Sequence, residues 1–327
     1  MSAVTGERGA DGARPARWAE RAARDGGSLR VILAALATNL AIAGIKLAAF
    51  FLTRSSAMLS EAAHSAVDSI DQVLLVIGER RGRRAADDSH PLGYGMEVYF
   101  WSFIVALMVF TLGGGAAIWE GVQRIRQPTP LDRPWINYIV LAISGALDGT
   151  SFLVGLREFR RISRGRLTLM QFLEVSKDPP LFATLIEDAA ALIGLALAAI
   201  GVTASAYFGV VWADGAASVA IGVLLVISAG FIANETRSLI AGESAAAAVV
   251  ERARCVVEAD RRVTRIDQFL TLHLGPSRIL VAATVHFAAP MDRAEVETAV
   301  TDMCAAIRAT DERIHDVFIR AMGGCET

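Results

Sequence analysis

Apolar residues in this chain come in long blocks, not in the short periodic runs of a water-soluble fold. Six blocks reach about the ~20 residues that a helix needs to cross a bilayer core. They run roughly Leu29 to Leu52, through Met58 to Val76, Val98 to Gln123, Ile136 to Leu156, Leu181 to Phe208 and Val210 to Ala233. A short TRSS turn, Thr53 to Ser56, joins the first two into a hairpin. From Asn234 onward the pattern changes to that of a small soluble unit. It predicts a helix over Ala245 to Ala259, a strand over Arg265 to His273, a turn at Leu274 to Ser277 and a strand over Ile279 to Phe287. A helix over Arg293 to Arg308 and a last strand over Arg313 to Ala321 complete an αββαβ order. The expected fold class is a membrane all-α bundle of six transmembrane helices with a C-terminal α+β domain.

Composition agrees: 54% of the 327 residues are hydrophobic and the mean hydropathy is +0.44, which excludes an ordinary soluble protein. The formal net charge of -2 decides little, whereas the placement of arginine decides orientation. Basic residues gather in the N-terminal tail, in Glu79 to Asp88 after span two, and in Arg157 to Lys177 after span four. The positive-inside rule then places both termini in the cytoplasm, in agreement with an even number of spans. The domains expected are a disordered cytoplasmic tail over 1–28, a transmembrane domain over 29–233 and a cytoplasmic dimerisation or regulatory module over 234–327. The tail lacks the apolar centre of a signal peptide; the alternative for it is a short helix with Arg14, Arg17, Arg21 and Arg24 against anionic membrane lipid. Cys255, Cys304 and Cys325 form no CxxC pair, which argues against a disulfide framework and for a reduced compartment.

The chemistry lies inside the membrane. The second span reads MLSEAAHSAVDSIDQVLLV, and the spacing of Glu61, His64, Asp68 and Asp71 puts all four on one helical face. Ionisable groups at membrane depth are costly, and their default reading is an ion path, a proton relay or a paired structural role. An imidazole with several carboxylates is also a suitable ligand set for a divalent transition metal. The alternative is an interfacial helix with its polar face in water. The fifth span carries a second insert, in which Thr184, Glu187 and Asp188 share a face. If the two spans are neighbours, His64, Asp68 and Asp188 converge near mid-membrane, with Thr184 or Glu187 completing the shell. Without a metal, the same residues would serve as polar contacts between helices.

Five stretches together resemble the cation diffusion facilitator family: SEAAHSAVDS at Ser60 to Ser69, DDSHPLGYG at Asp87 to Gly95, the acidic pair Glu187 and Asp188, ADGAASVAIG at Ala213 to Gly222, and the αββαβ tail. The adjacent Glu-Asp pair is similar to the zinc transporter nine-like branch. The resemblance implies a homodimeric secondary transporter, not an enzyme, with a ferredoxin-like cytoplasmic domain. Its implied activity is export of Zn2+, or of Mn2+, Fe2+ or Co2+, as substrate in exchange for protons by alternating access. It implies no prosthetic group and no nucleic-acid partner. His64 and Asp68 match the family's metal pair on the second span and Asp188 the aspartate on the fifth, with Thr184 standing where His or Asp is usual and Glu187 beside it. Proton coupling would fall to His64, Asp68 and Asp188, because metal and proton compete for the same groups. A multi-pass protein of the cytoplasmic (inner) membrane is expected if the source is bacterial.

Asp87 and His90 match a second family site in the loop after span two, but Tyr94 replaces its second histidine; two protein ligands are too few for a closed zinc site, so a structural turn is expected. His273, His286 and His315 fall outside the family's cytoplasmic ligand pattern, with His273 and His286 on facing strands. Asp214 is expected to set helix ends or packing, and Asp148 to lie by an aqueous vestibule. Gly113, Gly114 and Gly115 predict close packing or a bend. Two rivals remain: an intramembrane hydrolase, against which stands the lack of an HExxH or nucleophile motif, and a non-transporting metal sensor or scaffold acting through the cytoplasmic domain.

Overall fold

The structure, a computed structural model, describes residues 27–128, 133–163, 179–288 and 290–322. The N-terminal tail and its arginines lie outside the described residues, as does most of the basic loop after the fourth long helix. Six long helices come first: α1 (Gly27–Thr53), α2 (Ser56–Gly82), α3 (Glu97–Arg126), α4 (Pro134–Ser163), α5 (Pro179–Tyr207) and α6 (Ala213–Gly242). Helix α7 (Ala247–Glu258), strands β1 (Val263–Gly275) and β2 (Arg278–Phe287), helix α8 (Arg293–Thr310) and strand β3 (Ile314–Met322) follow.

Among the described residues, four stretches, containing α3, α4, α5 and α6, are long and apolar enough to cross a membrane, against the six expected. Helix α2 is long enough, but its polar stripe sets it apart from these, and α1 is counted among the shorter apolar helices over Asn39–Thr53. Large apolar side chains such as Phe51, Trp119, Ile200 and Ile227 are exposed on the outside of the bundle, where lipid replaces water as their solvent. The interior is built on Met58, Val67, Val105, Ile221 and Leu225. Helix α6 continues to Gly242, beyond residue 233, and the non-helical Glu243 to Ala246 joins it to α7.

Helix α6 is the element that fixes α2 and α3. A Cβ on Gly114 would stand 2.9 Å from the Gly222 carbonyl oxygen and one on Gly121 2.6 Å from that of Gly215, so α3 and α6 meet backbone to backbone. The glycine triplet, expected to give close packing or a bend, packs closely at Gly114 and lies in a π-helical segment, Val109–Gly115, within α3. At the other contact, Asp214 holds the start of α2: its carboxylate accepts from the Ser55 hydroxyl at 2.5 Å, the Ser56 amide at 2.6 Å and the Ser56 hydroxyl at 2.9 Å. A carboxylate there satisfies free N–H groups and faces the positive end of the helix dipole. One turn further on, the Ser60 and Ser218 hydroxyls are bonded to each other, and Ser218 donates to the Ala117 carbonyl at 3.0 Å.

The C-terminal unit has the αββαβ order. Its sheet runs β1-β2-β3, with β1 and β2 antiparallel and β2 and β3 parallel. Alternate β2 residues Ile279, Val281, Ala283 and Val285 are buried against Ala253 and Val257 of α7 and Met303 and Ile307 of α8. A reciprocal capping box between Asp292 and Glu295 starts α8. The unit meets the bundle at the turn before α3, where a Cβ on Gly95 would collide with the Leu274 carbonyl. The His273 amide also donates to the Glu243 carbonyl at the end of α6, at 3.1 Å.

Candidate metal centre in the helical bundle

Helix α2, which carries the stripe, has its N-terminus fixed twice. The Ser55 hydroxyl accepts from the Met58 amide at 3.3 Å, and Asp214 anchors the same turn from α6. With α2 held, Asp68 faces a cavity of about 570 Å3 whose wall also includes Thr184, Glu187 and Asp188 of α5. Asp71, Asp148, Ser65 and Ser151 line it as well. The two polar inserts therefore share one space.

His64 occupies a different position: it does not line the cavity but is buried behind it, with Nδ1 3.4 Å from Asp68 Oδ1 and neither ring nitrogen hydrogen-bonded. Asp188 is drawn toward α4 by Ser151, whose hydroxyl donates to Oδ2 at 2.9 Å. The expected convergence of His64, Asp68 and Asp188 into one shell is not seen. Among the described residues, no group of three or more His, Cys, Asp or Glu stands close enough to hold a metal ion. The reason is geometric: His64 and Asp68 on α2 and Asp188 on α5 stand around a wide cavity, and Asp188 is bonded to Ser151 of α4. The cavity wall nevertheless holds buried oxygen atoms without hydrogen-bond partners: both of Asp71, Oδ1 of Asp68 and Oε1 of Glu187. Buried oxygens of this kind are costly without a cation, a proton or water, and they suit a hard or borderline divalent ion.

Glu61, the first member of the stripe, takes no part in the cavity. Its Oε2 is 3.0 Å from the ammonium of Lys46 on α1, and both side chains are fully buried. Lys46 is not among the candidates that helical spacing picks out, although a lone lysine within an apolar span is itself a signal of a buried partner. Ser151 and the cavity-facing position of Asp71 were also missed, since helical spacing does not say which neighbour a face meets.

In the loop between α2 and α3, Asp87 is the centre of a turn. It accepts from the Ser89 hydroxyl at 2.6 Å, the Tyr94 hydroxyl at 2.7 Å and the His90 amide at 2.8 Å. Hydrogen bonds from the Ser89 side chain, then Tyr94, then the His90 backbone hold its carboxyl well below the usual carboxylate range. The residue that replaces the second histidine thus binds Asp87 itself, and His90 packs on the Tyr94 ring at 4.1 Å between centroids. The C-terminal histidines do not meet: His273 pairs with Ile279 and His286 with Arg265, at opposite ends of the hairpin. His286 Nε2 instead lies 2.7 Å from Asp267, and His315 is exposed.

The described residues thus form a multi-helix membrane bundle with a polar cavity between two acidic helices, followed by a small α+β unit. The chain belongs to the cation efflux family: the model of the cation efflux transmembrane domain matches residues 32–241. It is 32% identical over 260 residues to the proton-coupled zinc antiporter SLC30A9, mitochondrial, of Xenopus laevis, covering 79% of this chain and 46% of that protein. The Homo sapiens protein of the same name is 30% identical over the same length and shares. Metal tolerance protein C4 of Arabidopsis thaliana is 31% identical over 218 residues, 66% of this chain and 48% of that protein. The chain spans about half the length of these curated relatives.

Proposed function

We propose that this protein exports divalent transition-metal ions, zinc first, in exchange for protons by alternating access. One observation carries the reading: Asp68 of α2 and Thr184, Glu187 and Asp188 of α5 line a single cavity, with His64 in contact with Asp68. Its oxygen-rich wall leaves Mn2+, Fe2+ and Co2+ as further substrates. The relatives named as zinc antiporters and as a metal tolerance protein support the same direction. In this reading His64, Asp68 and Asp188 draw together on the substrate ion in a conformation of the transport cycle other than this one, with Glu187 as the fourth ligand. These ligands must be deprotonated to bind, so protons entering from the far side displace the metal and return with the protein to the inward-facing state.

The reading takes α1 to α6 as six spans of a multi-pass protein with both termini in the cytoplasm, in the inner membrane of a bacterial source. The unit after α6 then acts as a ferredoxin-like dimerisation module. Its open sheet face supports a homodimer: Leu270, Ala282 and Phe318 are aligned across the three strands, and Leu270 and Phe318 are exposed. Asp87 and His90 serve the loop turn in this scheme and hold no metal.

The test is metal-dependent proton flux in proteoliposomes with Zn2+, Mn2+, Fe2+ and Co2+. Flux with at least one ion is expected for the parent, and its loss in His64→Ala and Asp188→Asn. Asp188→Asn keeps the shape of the side chain and removes its charge, so flux at the parental rate in that variant refutes the ligand assignment. No flux from the folded parent, with metal response confined to the C-terminal unit, would instead favour a sensor or scaffold.

A further inference from the structure

The Lys46–Glu61 pair stands outside the ligand set, yet it borders it. The Lys46 ammonium donates to Glu61 Oε2 at 3.0 Å and to the Ser65 hydroxyl at 2.8 Å. Glu61, Ser65 and Asp68 follow one another at four- and three-residue spacing on α2, and Ser65 itself lines the cavity. The Ser65 hydroxyl therefore links the ammonium to the wall of the cavity that Asp68 faces. Glu61 Oε1 has no hydrogen-bond partner and lies against α5, 2.6 Å from where a Cβ on Gly194 would stand. The pair is wedged between α1, α2 and α5, three of the four helices that line the cavity, the fourth being α4.

Stability does not account for such a pair. Removing two charges from water costs several kcal/mol, and replacing a buried ion pair by apolar residues is often neutral or stabilising. A carrier, however, must bind its ion tightly enough to load it and weakly enough to let it go. A fixed positive charge beside a carboxylate-rich cavity lowers affinity for a dication, and the paired carboxylate limits how far.

We propose that Lys46 is a positioning residue that sets substrate affinity: its charge, held in place by Glu61 and Ser65, weakens divalent-metal binding in the cavity and speeds release. Glu61 is its counter-charge and not a metal ligand. This rests on the metal-efflux reading above.

The test compares the full-length parent, Lys46→Met, Glu61→Gln, the double variant and Lys46→Arg in detergent at pH 8, each shown to be monodisperse, by equilibrium titration with Zn2+ and Mn2+. Lys46→Met removes the repelling charge and is expected to tighten binding about tenfold. Glu61→Gln leaves the ammonium unbalanced and is expected to weaken binding about tenfold. The double variant and Lys46→Arg stay within about threefold of the parent. A purely structural pair would shift both single variants in the same direction, or leave Kd unchanged while lowering stability; either result overturns the assignment. Should Lys46→Met fail to fold, weaker binding in Glu61→Gln with parental binding in Lys46→Arg supports the proposal, and equal binding in both overturns it. Absence of saturable binding by the parent overturns the efflux reading together with this one, whereas saturable binding without opposed shifts overturns Lys46 alone.

Discussion

Gly95→Ala tests how firmly the C-terminal unit is seated on the bundle. The added methyl would meet only backbone: the Leu274 carbonyl oxygen in direct collision, the Leu274 carbonyl carbon at 3.1 Å and the Gly275 Cα at 3.3 Å. No side chain can rotate to relieve this, so the β1–β2 turn must retreat from the bundle by about 1 Å. Overpacking of this kind costs about 1–3 kcal/mol. The reporter is the His273 amide, whose bond to the Glu243 carbonyl at 3.1 Å lies next to the contact. If that energy is lost from local opening, hydrogen exchange at His273 accelerates about 5- to 150-fold. Gly275→Ala is the internal control. Its methyl would stand 3.1–3.2 Å from Gly95 atoms, a crowding relieved by a few tenths of an ångström, so its effect should be the smaller. Unchanged exchange in Gly95→Ala, or a larger effect from Gly275→Ala, would refute the reasoning.

Asp214→Ala removes the acceptor of three bonds at the start of α2 and should destabilise the bundle by about 3–5 kcal/mol, read as a lowered thermal midpoint in micelles; an unchanged midpoint would show that α2 is held by packing alone. In the loop, the depressed acidity of Asp87 contributes local stability that is fully present above its ordinary pKa of about 4 and is lost as pH falls through its lowered value. Tyr94→Phe deletes the 2.7 Å bond and should move the Asp87 titration upward, toward about pH 4, in an NMR titration of its carboxyl carbon. A midpoint identical to the parent's would mean that the phenol does not support the turn.

The long apolar blocks and the αββαβ order were readable because each rests on local periodicity, a property of neighbours in the chain. The polar stripe on α2 was readable for the same reason, and so was the insert on α5. The same stripe sets α2 apart from the stretches that, among the described residues, length and composition alone qualify as spans, which are fewer than the block pattern suggested. The structural turn at Asp87 followed from counting ligands, although its use of Tyr94 as a donor did not.

What the chain could not specify by periodicity is which residues meet across helices. Glu61 and His64 share a face with Asp68, yet Glu61 is taken by Lys46 of α1, His64 sits behind the cavity wall, and only Asp68 and Asp71 open into the space facing α5. Those assignments depend on contacts between residues far apart in sequence, set by the close seating of α3 on α6 and by Asp214 holding α2 from 158 residues away. Local spacing thus determined the candidate chemistry and the order of elements. The tertiary structure decided which charges pair with each other and which remain to face the cavity, because electrostatic partners are chosen by distance in space and by exclusion of water.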